Sequence, residues 1–199
     1  MDVGKFVKQA GDYKALIPNK FPPLKPLIVP VEIGLLNDKA TLALGKLDGI
    51  AQLIPDIDFF TFMYIRKEAT LSSNIEGTKA TMHDALKADI KLSDKIPKDV
   101  ENITHYIAAL NFGLKRLKDM PLSSRLLKEI HRELMENTAE GKGKTPGEFR
   151  KSQNWIGGTR PSNADYVPPP PRELSRVLSD FDKFLNKAQP YSPLVIAAL

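Results

Sequence analysis

The 199-residue chain contains no cysteine, which excludes disulfide bonds and thiol catalysis. The sequence also lacks any apolar run long enough to span a membrane, so we expect no membrane partner. Its N-terminus, Met1-Asp2-Val3-Gly4-Lys5, has neither an apolar core nor a small-residue cleavage site, so we expect no secretory signal. Together these absences predict a cytoplasmic protein.

A strong charge of either sign is also missing. The 29 basic residues outnumber the 24 acidic ones only slightly, giving a formal charge of +5. The basic residues are spread along the chain and form no block, which argues against a nucleic-acid partner. Hydrophobic content of 42% is typical of globular proteins, and the length suffices for one domain or a compact pair.

Familiar catalytic and metal-binding motifs are absent as well. Gly141-Lys142-Gly143-Lys144-Thr145 resembles a phosphate-binding loop, but Thr138 occupies the position of its required first glycine and no strand precedes it. No two of the three histidines, His83, His105 and His131, have the spacing of metal ligands on a helix. We therefore expect no metal site and no firmly bound cofactor. Chemistry alone indicates a soluble helical domain with a small hairpin.

Apolar residues recur at helical spacing, which predicts a mainly α protein. The predicted helical stretches are 31–53 (one helix, or two separated by a cap at Asn37-Asp38), 56–75, 81–91, 97–118, 123–137, and two that begin near Pro171 and Pro193. Proline at the first turn favours the starts at 97 and 171.

Proline also marks the N-terminal region, residues 1–30. Its five prolines disfavour a helix and favour an extended, polyproline-type chain. The region is nevertheless rich in apolar residues, unlike a disordered tail. We expect an extended arm that wraps onto the helical body.

A second non-helical region follows a polar loop with several glycines. Asn154-Trp155-Ile156-Gly157-Gly158 is typical of the first arm of a hairpin, and Tyr166-Val167 of its return arm.

The stretch that ends the second helix is the most informative one. Gly77 stands where a left-handed helix stop is expected, directly after Glu76. A carboxylate at a helix C-terminus opposes the macrodipole, at a cost of a few tenths to about 1 kcal/mol. Ser72 shares the face of Glu76, four residues earlier. Either this is an ordinary solvated helix end, or Glu76 meets a cation.

Three segments together resemble the Fic-domain family of protein AMP-transferases. Ser72, Glu76 and Gly77 match the family's inhibitory-helix pattern, within residues 66–78. Residues 145–171, which include Gly147-Glu148-Phe149-Arg150, resemble the family's Gly-x-Phe-Arg segment and the hairpin called the flap. Residues 192–199 are similar to the start of the helix that leads into the active site.

One family feature is absent from the sequence. The catalytic signature, His-Pro-Phe-x-x-Gly-Asn-Gly-Arg, occurs nowhere in the 199 residues. The resemblance implies that it would follow Leu199, so no catalytic or metal-binding residue is assigned. We expect the N-terminal part of a longer Fic protein, or a truncated gene product, that is inactive alone.

The resemblance divides the chain into an arm (1–30), a helical region with the inhibitory helix at about 56–77 (31–95), and part of a Fic bundle (96–199). It implies ATP and Mg²⁺ as cofactors of the complete family protein. Glu76 would pair with the second arginine of the signature and exclude the ATP γ-phosphate, and Ser72 would stabilise the same helix end. The flap, at about 154–167, would dock a target protein by strand-type pairing. The flap residues concerned are Trp155, Ile156, Gly157, Gly158, Thr159, Tyr166 and Val167.

Three functions remain open at this point. The first is the regulatory and target-docking part of an AMP-transferase, the second a non-catalytic protein-interaction module, and the third a nucleic-acid binder. Apolar surface that the rest of a Fic domain would cover should be exposed, so we also expect homo-oligomers.

Overall fold

The computed structural model describes residues 3–22, 28–75, 77, 79, 81–89 and 98–199. The chain is mainly helical, as predicted, and begins with a small antiparallel hairpin. The hairpin consists of β1 (Gly4–Gln9) and β2 (Tyr13–Pro18), and the helices are α1 (Val31–Ala51), α2 (Ile57–Ile75), α3 (Met82–Asp89), α4 (Lys98–Arg116), α5 (Ser124–Met135), α6 (Pro171–Asn186) and α7 (Pro193–Ala198). One 3₁₀ turn, Pro161–Asn163, lies between α5 and α6. The part of the chain that the structure describes contains no helix long and apolar enough to cross a membrane.

The N-terminal hairpin corrects the prediction of a polyproline-type arm. Phe6 pairs with Leu16, and Gly11 and Asp12 form the turn with positive φ angles of 95° and 59°. The first proline of the region, Pro18, stands at the end of β2. A strand tolerates proline at its end, where no ladder hydrogen bond is required. Residues 4–17 were therefore free to pair.

Helix α1 is continuous, so the break considered at Asn37-Asp38 does not occur. The side chain of Asn37 caps no helix, because its Oδ1 accepts a hydrogen bond from Ser192 Oγ at 2.5 Å. Ser192 precedes α7, and its Oγ also accepts from the Val195 amide at 3.4 Å. None of the residues in α1 is buried.

The chain divides into two compact units. The first comprises residues 1–29, 121–125 and 148–190, and the second comprises 30–120, 126–147 and 191–199. The predicted boundary at 95/96 lies outside the described residues.

A small apolar core holds α2 against α4 in the second unit. Its buried members are Ala69, Val100, Ile103 and Ile107, with Ile65 and Tyr106 packed against them. The α4 members step by three and four residues, the spacing that predicted this helix.

In the first unit, α6 anchors the hairpin. Arg172 donates to Gln9 Oε1 at 2.6 Å, and Arg176 donates to the Pro18 carbonyl at 3.2 Å. The ring of Phe184, which is buried, lies 4.4 Å from that of Phe21. Hydrogen bonds and ring packing therefore join residues that are more than 150 positions apart in the sequence.

Candidate functional site

Helix α2 ends as the sequence predicts. Gly77 adopts a left-handed φ of 94°, and its amide donates to the Asn74 carbonyl at 3.1 Å. A left-handed residue just after the last turn is a common way to end a helix. Glu76, the predicted inhibitory carboxylate, lies outside the described residues.

Ser72 is half-buried and forms a hydrogen bond with a residue one turn earlier in α2. Its Oγ donates to Glu68 Oε1 at 2.7 Å. Glu68 also accepts a hydrogen bond from the Tyr106 hydroxyl on α4. Burial raises the pKa of Tyr106, and the hydrogen bond to Glu68 and its charge raise it further. Glu68 therefore interacts both with Ser72 on its own helix and with Tyr106 on α4. Sequence reasoning missed Glu68 and Tyr106, although Glu68 stands four residues before Ser72.

The arms of the flap meet, but at a single point. The Ile156 amide donates to the Tyr166 carbonyl at 2.8 Å, and the Tyr166 amide returns a bond to the Ile156 carbonyl at 3.2 Å. The Asp165 amide also donates to the Ile156 carbonyl, at 2.9 Å. The predicted hairpin is thus a single antiparallel bridge rather than a ladder of strand pairs.

The tip of the flap depends on two glycines and one asparagine. Gly157 and Gly158 both have positive φ angles, 73° and 64°. Asn163 Oδ1 accepts hydrogen bonds from the amides of Thr159 and Arg160, at 3.1 and 2.9 Å. Asn163 thereby closes the turn that begins at the glycines, and Thr159 stays exposed.

The two arms differ in exposure. Trp155 is 39% exposed and Ile156 is 65% exposed, whereas Val167 is buried at 3%. The carbonyl of Val167 accepts a hydrogen bond from the Leu16 amide of β2 at 3.0 Å. The return arm is therefore joined to the N-terminal hairpin, and the side chain of Val167 belongs to the interior of this unit.

Two side chains at the base of the flap bind main-chain carbonyls. Arg150 donates to the carbonyl of Ser152 at 3.0 Å and to that of Pro169. Gln153 donates from Nε2 to the carbonyls of Asn154 and Pro168, at 2.9 and 3.0 Å. Burial lowers the pKa of Arg150. Arg150 stands in the Gly-x-Phe-Arg segment, but sequence reasoning assigned a role to neither side chain.

The glycine-rich loop of residues 138–147 does not resemble a phosphate site in geometry either. The Gly141 amide donates to Thr138 Oγ1 at 2.9 Å, and the Gly147 amide donates to His131 Nδ1 at 2.8 Å. These amides are engaged within the loop and its neighbouring helix. In the described ranges, no group of three or more His, Cys, Asp or Glu side chains is arranged to hold a metal ion. These two loop amides are therefore not available to bind a phosphate.

Two family models match the chain. The model described as "Fic/DOC family N-terminal" covers residues 35–115, and the one described as "Fic/DOC family" covers residues 121–199. The chain therefore belongs to the Fic/DOC family, as its motifs indicate. A comparison with curated proteins gives no match. The family generally transfers AMP and binds ATP with Mg²⁺, so membership indicates an AMPylation-type function in general.

Proposed function

We propose that these residues are the regulatory and target-docking portion of a protein adenylyltransferase. The complete protein would transfer AMP from ATP to a Ser, Thr or Tyr hydroxyl of a target protein. Membership of the Fic/DOC family supports the reaction class. The observation that carries the docking role is the flap, whose arms pair through Ile156 and Tyr166 and leave Trp155 accessible.

Docking takes place on the first arm of the flap. The return arm is joined to β2 through the Leu16–Val167 hydrogen bond. In an antiparallel pair, alternate residues direct their amide and carbonyl groups to opposite sides. Because Ile156 pairs with Tyr166, the main-chain groups of the preceding residue, Trp155, would be directed away from the return arm. An extended segment of the target would pair there, largely independent of its sequence, and present its hydroxyl by proximity.

Regulation resides in Glu76, at the end of α2. In this proposal its carboxylate pairs with an arginine of the catalytic signature and excludes the γ-phosphate of ATP. The structural support is the end of α2 at Ile75 and the left-handed φ of 94° at Gly77, the two positions on either side of Glu76 in the sequence.

The test uses residues 1–199 joined to a family segment that carries the catalytic signature. We expect Glu76→Gly to increase labelling of protein by radiolabelled ATP, because the inhibitory carboxylate is removed. Glu136→Gly is the matched control, since Glu136 follows α5 and precedes Asn137, which has a positive φ of 64°. Equal labelling in the parent and in Glu76→Gly would contradict the inhibitory role.

The second candidate is a non-catalytic protein-interaction module. It is supported by the flap, whose paired arms and accessible Trp155 offer a binding surface that needs no catalytic residue. Both candidates predict that the 199 residues alone transfer no AMP. They differ in the joined protein, which labels a target only if the residues belong to an adenylyltransferase.

A further inference from the structure

We infer that Arg150 and Gln153 are positioning residues that hold the first arm of the flap in place for docking. The inference rests on the proposed docking function, but the geometry it describes can be measured without any target. Its starting point is how little main-chain pairing the flap has. One antiparallel bridge, Ile156 with Tyr166, joins its arms over residues 154–167. An isolated two-stranded hairpin is only marginally stable in water even with a full ladder.

At the base of the flap, side-chain hydrogen bonds take the place of the main-chain hydrogen bonds of a strand ladder. The Arg150 guanidinium reaches the carbonyl of Pro169, nineteen residues further along the chain. The Gln153 amide reaches the carbonyl of Pro168, fifteen residues along. Both acceptors belong to the proline run 168–171, which lacks main-chain donors. The run therefore cannot supply the main-chain donors of a strand ladder, and the side chains of Arg150 and Gln153 bind its carbonyls instead.

The electrostatics of Arg150 support this role. Its partners among the described residues are carbonyl groups, and none is a carboxylate. Burial disfavours its charge and lowers its pKa. A partly desolvated guanidinium can bind two acceptors at once in a fixed plane, which a lysine ammonium cannot do. The side chain therefore sets the distance between Ser152 and Pro169, and so the position at which the flap begins.

Gln153 shows the cost of the arrangement. Its Nε2 binds two carbonyls, while its Oε1 is the one buried side-chain polar atom in the described part of the chain that has no hydrogen-bond partner. An unpaired buried acceptor is unfavourable. The side chain nevertheless keeps this orientation, because rotating the amide would place an acceptor against the carbonyls of Asn154 and Pro168.

Trp155 makes the inference measurable. It is the only tryptophan in the sequence and follows Gln153 by two residues, on the arm that would dock a target. Its fluorescence therefore reports the state of the flap alone. The amides of Ile156 and Tyr166, which form the bridge, report the same event by hydrogen exchange.

The experiment compares Arg150→Gln with Lys151→Gln in the full 199-residue chain. Each variant removes one positive charge at adjacent positions, but Lys151 is exposed. We expect Arg150→Gln to speed exchange of the Ile156 and Tyr166 amides about tenfold or more, as expected for loss of hydrogen bonds from a charged donor. Acrylamide should quench Trp155 more strongly in this variant, and Lys151→Gln should match the parent.

Further variants and a reference site separate positioning from general stability. Arg150→Lys keeps the charge without the planar fork and should give an intermediate exchange rate, while Gln153→Leu should resemble Arg150→Gln. Exchange of the Ile103 and Ile107 amides in α4 should stay at the parental rate in all of them. Unchanged flap exchange in Arg150→Gln, or equal acceleration in Lys151→Gln, would overturn the inference. Failure of AMP labelling in the joined protein would instead count against the proposed function alone.

Discussion

Gly157 and Gly158 combine a left-handed backbone with a lack of space for any side chain. A Cβ at Gly157 would lie 1.9 Å from Asp165 Oδ2, and one at Gly158 would lie 2.3 Å from the Asn163 carbonyl oxygen. The first obstacle is the end of a side chain that can rotate away, and the second is backbone. Gly143 has a similar φ of 74° but nothing within 4 Å of its Cβ position. Substitutions at the three glycines can therefore separate the cost of a left-handed backbone from the cost of crowding a Cβ.

We expect alanine at these positions to destabilise the protein in the order Gly143, Gly157, Gly158. Gly143→Ala should lower the free energy of unfolding by about 1 kcal/mol, the cost of a left-handed residue with a Cβ. Gly158→Ala should cost an additional ~1–3 kcal/mol, because overpacking against backbone cannot relax. Hydrogen exchange of the Ile156 amide and urea denaturation would measure the series. Equal effects at all three positions would contradict the role of crowding.

Between elements, the contact of α2 with α4 combines apolar packing with a hydrogen bond. The core of Ala69, Val100, Ile103 and Ile107 excludes water but has no directional preference. The hydrogen bond from the Tyr106 hydroxyl to Glu68 adds direction. Glu68 also accepts a hydrogen bond from Ser72. The contact between α2 and α4 therefore involves the last turns of α2, just before the proposed inhibitory residue, Glu76.

The contact predicts a loss of stability at alkaline pH. The pKa of Tyr106 is raised in the folded state, so the folded protein holds this proton more tightly than the unfolded chain. The stabilisation is therefore complete below the unfolded pKa of about 10 and is lost as pH rises through the folded value. We expect the parent to exceed Tyr106→Phe in free energy of unfolding at neutral pH, with the difference shrinking above about pH 10. A difference that does not change with pH would exclude Tyr106 ionisation as its cause.

At the scale of the whole molecule, exposed apolar surface is the main feature. Large apolar side chains on α1 and α2 are more than one-third exposed: Val31, Ile33, Leu35, Leu36, Leu42, Leu44, Leu47 and Ile50 on α1, and Ile57, Phe59, Phe60, Phe62, Tyr64, Leu71 and Ile75 on α2. Contiguous apolar patches above a few hundred Å² are rare on monomers. We propose that the exposed apolar side chains of α1 and α2 mediate self-association.

We expect the 199-residue chain to form dimers or larger species and to bind a hydrophobic dye. Leu47→Lys on α1 should shift the sedimentation profile towards monomer, because a charge at an apolar interface is costly to desolvate. Phe6→Lys is the matched control, since Phe6 on β1 is as exposed (62%) as Leu47 (63%) but lies on another element. A monomeric parent that binds no dye would contradict self-association.

Local sequence determined the helices and their ends. The step of three and four residues in α4, the glycine after α2 and the prolines at the starts of α6 and α7 act over one or two turns, so their consequences are readable from the sequence. The pairing of Ile156 with Tyr166 is also readable from local sequence, because glycines separate two short apolar segments. The family motifs were equally local, and the two family models confirm the family that they indicate.

Only the tertiary structure decided which side chains hold these elements in place. Asp182 accepts hydrogen bonds from both the amide and the Oγ of Ser124, at 2.6 Å each, across fifty-eight positions. Arg150 and Gln153 bind carbonyls, which every residue possesses, so no residue type in the sequence identifies their partners. The same holds for the hydrogen bond between Leu16 and Val167. Hydrogen bonds to the main chain depend on where the backbone lies, and that is settled only when the fold has formed.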